Sequence, residues 1–187
     1  MPNPEPTRYD LTLIVLHWVM AALILVLFLL GWYMDDLPKG GAERAYFFAL
    51  HKSVGLTLAM LLVLRLAWRL RSPGPAPFAG LAEWQKRLSV LTHRLLYVFM
   101  VLQPLSGYLS SSFAGYPTRF WGIALPVWAD KDPVVNELFT RVHEVSSLAL
   151  LALIALHVCG ALVHVWRGQS VLSRMWWTRE KEKTGSE

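Results

Sequence analysis

The chain has 187 residues, 55% of them hydrophobic and only 17% charged, with nine Trp and a formal net charge of +5. A soluble domain carries about a quarter charged residues spread among its apolar positions; here the charges cluster and leave apolar runs longer than a core of this size could bury. That argues against a disordered chain, a nucleic-acid-binding module and a disulfide-stapled secreted domain. The single cysteine, Cys159, sits inside an apolar run, so internal bridging and CxxC metal chemistry are absent. The composition is that of an integral membrane protein surrounded by lipid.

Four segments are long enough to cross a bilayer as helices, which takes about 20 apolar residues each. The first is expected from about Leu11 to Met34 and holds His17; at this length, with a scarcely basic leader, it reads as a retained span and not a cleaved signal. Asp35-Asp36-Leu37-Pro38-Lys39-Gly40-Gly41 connects it to the second, about Arg44 to Leu70, with His51 and Lys52 near its start and Arg65 and Arg69 near its end. Ser72-Pro73-Gly74-Pro75-Ala76-Pro77 leads to the third, about Trp84 to Phe113, with His93 and Arg94 near its start. A longer stretch from Gly115 to Pro133 carries Trp121 and Trp128, residues suited to a membrane–water boundary. The fourth span, about Val134 to Trp166, contains His143, Glu144, His157 and His164, and residues 178–187 form a polar tail. The whole reads as one all-α, four-helix transmembrane domain.

Orientation follows from Lys and Arg. With the N-terminus cytoplasmic, 12 of the 18 basic residues fall on that side, and Lys39, Arg44, Lys52, Arg119, Lys131 and Arg141 fall on the other. The sides total about +6 and about −1, which places both termini in the cytoplasm by the positive-inside rule. The basic balance reflects topology, and no nucleic-acid partner is needed to explain it.

All six histidines lie in or at the ends of the apolar segments. An ionisable group at bilayer depth is costly and points to function, and a neutral imidazole is the form that binds metal. His143 and His157 are 14 residues apart, a rise of about 21 Å and a rotation about 40° short of four turns. They share one helix face at two depths, too far apart for one ion, since metal-binding pairs on a helix recur at three or four residues. The second and fourth spans enter from the same side, which matches His51 with His143; His17, entering from the opposite side, matches His157. Two bis-imidazole sites stacked across the membrane result, the arrangement that closes both faces of a haem iron and favours electron transfer.

Gly55, Ala21, Ser147, Gly160 and Ala161 lie within a turn of these histidines. They leave room for a flat macrocycle, or merely let membrane helices approach closely. Arg65 and Arg69 return to the face of His51 near the inner level; either suits a haem propionate or a quinone headgroup, or anchors the span by snorkelling. His93 could replace His17 or His157, meet a propionate, bind quinone, or pack as a hydrogen-bonded side chain. His164 has the same options or faces water at the boundary.

The pieces His17-Trp18, His51-Lys52-Ser53-Val54-Gly55 followed by Arg65, Trp68, Arg69 and Pro73, then His93, Tyr97, Pro104, Ser106 and Gly107, and finally His143-Glu144 with His157 and His164, are together similar to the prokaryotic cytochrome b561 family, over about residues 8 to 178. That family is related to cytochrome b subunits of hydrogenases and formate dehydrogenases. The resemblance implies a four-helix bundle of the bacterial inner membrane with two b-type haems, passing electrons between a periplasmic-side donor and the quinone pool. It also implies His17, His51, His143 and His157 as axial ligands, with His93, Arg65 or His164 near propionates or quinone. Some members resemble a superoxide oxidase acting with ubiquinone; an anion-steering outer funnel would suit that activity, and Lys52 and Arg141 are the local candidates for one. A membrane-anchor subunit for a hydrogenase-like or dehydrogenase-like partner is the alternative within redox chemistry. A His-lined transporter or metal-binding bundle is the alternative outside it, though no span is broken as transporter binding helices often are.

Overall fold

The computed structural model describes residues 8–72, 74–76, 81–168 and 172–176. Four helices, α1 (Leu11–Asp36), α2 (Ala42–Arg71), α3 (Glu83–Phe113) and α4 (Pro133–Trp166), are each long and apolar enough to cross a membrane. At about 1.5 Å per residue they span about 39 to 51 Å, more than the roughly 30 Å hydrocarbon layer. The polar tail from residue 178, Pro73 and Pro77 lie outside the described residues.

The helix ends have local causes. Asp10 caps α1 by accepting from the Thr12 N–H at 2.9 Å, and the same carboxylate oxygen accepts from Trp68 Nε1 at 2.9 Å, which ties the start of α1 to the end of α2. Arg44 donates to the carbonyls of Met34 and Leu37, both at 2.7 Å, placing a cation on the carbonyl-rich end of α1 and closing the first connector. Gln85 reaches back to the Ala82 N–H at 3.0 Å. Asp132 caps α4 on the N–H groups of Val134 and Val135, with Pro133 in the first turn where its missing N–H costs nothing. Pro104 lies inside α3 and deprives the Met100 carbonyl of its usual partner without ending the helix.

α1 packs against α2 and α3 against α4, so the molecule is two antiparallel hairpins laid together, with a thinner contact between α2 and α3. Large apolar side chains such as Leu25, Leu29, Val63 and Leu148 point outward, where lipid lies, while Ser53, Arg65, Thr92, Ser106, Ser111 and Ser146 are buried. This distribution is expected where lipid is as apolar as leucine and helices are held by close packing and internal hydrogen bonds. The α3/α4 seam shows it: Ser110 and Thr140 share a 2.7 Å hydrogen bond, and Asn136 donates to the Ser110 carbonyl at 2.8 Å. An apolar layer of Met20, Leu58 and Leu62, backed by Leu27, Tyr97 and Met100, fills the middle of the bundle.

Between α3 and α4 the chain forms a two-stranded hairpin, β1 (Arg119–Phe120) and β2 (Ile123–Ala124). Its tip, Trp121-Gly122, has φ of 48° and 92°, the all-positive pattern of a type I′ turn. A tryptophan there is strained, and Ser53 holds it in place: its Oγ accepts the Trp121 N–H at 3.1 Å, while Trp121 Nε1 donates to Thr57 at 3.1 Å. Trp128 Nε1 donates to the Tyr108 hydroxyl at 2.9 Å. At the opposite end, a 3-10 turn (Leu172–Met175) folds back under α1, where Trp18 Nε1 donates to the Met175 carbonyl at 2.8 Å.

Candidate haem-binding imidazole pairs

The structure brings the histidines together in two tiers. In one, the rings of His51 on α2 and His143 on α4 have centroids 6.3 Å apart and planes at 75°. In the other, His17 on α1 and His157 on α4 stand 6.2 Å apart at 71°. α4 runs unbroken through both tiers, so they are separated along it by about 21 Å.

His93 joins the second tier: its ring lies 5.0 Å from that of His157, and its Nδ1 is 2.7 Å from the carbonyl of Ser89 on its own helix. His164 is half-buried in the last turn of α4, seven residues beyond His157. Arg65 does not snorkel. Only 9% exposed, it donates from Nη1 to the Leu13 carbonyl at 2.6 Å and from Nε to the Tyr97 hydroxyl at 3.2 Å, and among the described residues it makes no ion pair. Arg69 instead lies over the Tyr9 ring at 5.2 Å.

The first tier is held unevenly. His143 Nδ1 is 3.0 Å from the Gln103 carbonyl and 3.3 Å from Ser106 Oγ. Donating from Nδ1 fixes the tautomer and leaves Nε2 with its lone pair. His51 Nδ1 is buried against the Leu27 backbone but makes no hydrogen bond of ordinary distance and angle. The glycines against these rings come from facing helices. A Cβ on Gly107 of α3 would stand 3.1 Å from His143 Nδ1 and Cε1, and one on Gly31 of α1 would stand 3.8 Å from His51 Cε1. By contrast, a Cβ on Gly55 would make an ordinary 3.9 Å contact with Leu27, and one on Gly160 would meet nothing within 4 Å. Gly31 and Gln103 carry no periodic signal in the sequence, and Gly107 is marked there only by the family resemblance.

A family model described as prokaryotic cytochrome b561 matches residues 8–178. The chain belongs to the prokaryotic cytochrome b561 family. The cytochrome is 34% identical over 119 residues to cytochrome b561 homolog 2 of Escherichia coli K12, covering 63% of this chain and 62% of that relative. It is 26% identical over 161 residues to cytochrome b561 homolog 1 of the same organism, covering 84% and 89%. A probable superoxide oxidase, CybB, of Yersinia pestis is 23% identical over 160 residues, covering 84% and 88%.

Membership makes this a multi-pass membrane cytochrome b with a role in electron transfer, and it implies b-type haem. The residues present fit that group. Two metal–nitrogen bonds of about 2 Å, plus about 1.1 Å from each nitrogen to its ring centre, would put two imidazoles holding one metal between them with centroids about 6.2 Å apart. His51–His143 and His17–His157 match this spacing, whereas His93–His157 at 5.0 Å is too close. Arg141, a candidate for steering anions, is held by Glu137 at 2.9 Å and Glu144 at 3.6 Å, so its charge is locally offset. Among the described residues, no group of three or more His, Cys, Asp or Glu side chains is placed to hold a metal ion.

Proposed function

We propose that this cytochrome carries electrons across the membrane through two b-type haems, one between His51 and His143 and one between His17 and His157, and exchanges them with quinone. The observation that carries the reading is the pair of matching separations, 6.3 and 6.2 Å, at two levels of one unbroken helix. When bound, haem supplies a reversible one-electron couple. The two imidazoles of each tier come from different helices, so each bound group would also lock helices together across the two hairpins. The apolar layer of Met20, Leu58 and Leu62 between the tiers excludes water and lowers the local dielectric, which helps set the potentials.

Arg65 brings a buried positive charge to the His17 tier; the Leu13 carbonyl and the Tyr97 hydroxyl leave part of its guanidinium for an anionic group, a propionate or a reduced quinone oxygen. His93, with Nδ1 engaged by its own helix, has its other nitrogen for the same purpose. His164, near the end of α4, is a further candidate for a propionate or quinone contact. The bias of Lys and Arg supports both termini on the cytoplasmic side of a bacterial inner membrane, with the His51 tier facing the periplasm. The donor on that side is superoxide or a redox protein; similarity to the probable superoxide oxidase supports the former.

Purified from cells with ample porphyrin supply, the protein should be red and contain two haems per chain; a folded, colourless preparation overturns the proposal. Anaerobic stopped-flow, with superoxide and quinol offered separately, then separates the roles. Haem reduction by superoxide followed by reoxidation with quinone assigns a superoxide:quinone oxidoreductase. Reaction with neither donor assigns the anchor role, in which a partner subunit supplies the electrons.

A further inference from the structure

The two imidazoles of the His51–His143 tier are not equivalent, and the difference originates in α3. His143 is braced on three sides. Its Nδ1–H donates to the Gln103 carbonyl at 3.0 Å, with Ser106 Oγ at 3.3 Å. Ser106 Oγ itself donates to the Leu102 carbonyl at 2.7 Å, so the hydroxyl is oriented to accept from the ring. The Gln103 side chain crosses to α4, donating to the His143 carbonyl at 3.1 Å and to Ser146 Oγ at 2.6 Å, which ties the accepting carbonyl to the helix that carries the ring. Gly107, one turn further along, lies against the ring so closely that a Cβ would come within 3.1 Å of Nδ1. His51 is held more loosely: its Nδ1 lies against the Leu27 backbone without a hydrogen bond of ordinary distance and angle, and its facing glycine, Gly31, stands back.

We infer that Gln103 and Gly107 are positioning residues that make His143 the stronger electron donor of the pair and hold the potential of that haem down. An imidazole that donates its Nδ1–H to a carbonyl takes on imidazolate character at Nε2, which favours the oxidised metal. A Cβ at position 107 must push the ring aside by a few tenths of an ångström and lengthen the bond to Gln103. Removing the Gln103 amide loosens the same bond without adding volume, because the backbone carbonyl stays while its tie to α4 is lost. Both changes act on one ring and in one direction.

The inference rests on the two-haem reading, and the test separates the two. Haem content is counted first in the unmutated protein, and the component lost in His51→Ala identifies this tier. Fewer than two haems in the unmutated protein overturns the reading and this inference with it. Potentiometric titration followed by electron paramagnetic resonance is then applied to Gly107→Ala, Gln103→Leu and Gly31→Ala. Expected are two haems in each and an upward shift of the His51–His143 component alone in the first two. The shift should reach a tenfold change in its oxidised-to-reduced ratio, about 59 mV for one electron, with a displaced low-spin signal from the same haem. Gly31→Ala, whose Cβ makes an ordinary contact, should move neither component. No shift in either of the first two variants, or equal shifts of both haems, overturns the inference; if Gly107→Ala fails to load haem, Gln103→Leu decides it.

Discussion

A histidine within a membrane has two ring nitrogens to satisfy and no water to do it with. At His143 the solution is visible: one nitrogen is spent on the Gln103 carbonyl, and the other stands free in a tier with His51. His93 uses the same device with Ser89, yet stands at the wrong distance from His157 to face it across a metal. His51→Ala or His143→Ala is therefore expected to remove one haem and leave the other, read as a halved haem content with one surviving potential. His17→Ala should remove the second, whereas His93→Ala should keep both. A full haem complement in the His17 variant, with loss in the His93 variant, would exchange their roles. Arg65 shows what sequence position leaves open: near a helix end it suits snorkelling, yet it is buried on the Leu13 carbonyl.

At the scale of the element, ordinary rules account for the helices. Each is apolar over more than the bilayer thickness, and their ends carry caps that use local polar groups: Asp10, Arg44, Gln85 and Asp132. Asp132→Ala should cost about 1 kcal/mol, the usual value of an N-cap, measured by equilibrium unfolding in mixed detergent–SDS micelles. Asp10→Ala should cost more, because the carboxylate that caps α1 also accepts from Trp68 on α2. The β-hairpin was not legible in the sequence. Residues 115–133 read as a long loop because the strands are two residues each and the tip holds Trp121, where Asn or Asp is the usual signal. Ser53 and Thr57 on α2, far away in the chain, stabilise it.

For the whole molecule, the arrangement is two helical hairpins with two tiers of imidazoles between them and an apolar layer in the middle. α4 takes part in both tiers, α1 and α2 in one each, and α3 braces from outside. Shortening α4 between His143 and His157 would prevent both pairs from forming at once, since each residue lost there rotates one imidazole relative to the other by about 100°. The bias of Lys and Arg predicts that reporters fused at either terminus read out as cytoplasmic, and reporters inserted at Lys39 or Lys131 as periplasmic. The opposite pattern would invert the direction of the proposed pathway. It would leave the tiers intact.

The number of spans, their order, the depth of each histidine and the family resemblance were available from the sequence alone. They depend on local composition and on a helical rise that is the same in every helix. How far the rings of His17 and His93 stand from that of His157, 6.2 and 5.0 Å, and which glycines touch the rings, depends on how each helix is rotated about its axis. That rotation is set by contacts between side chains distant in the chain, such as Gln103 with Ser146 and Arg65 with Leu13. Local patterns in a uniformly apolar span do not encode it, because lipid accepts any face equally well; only the tertiary structure decided it.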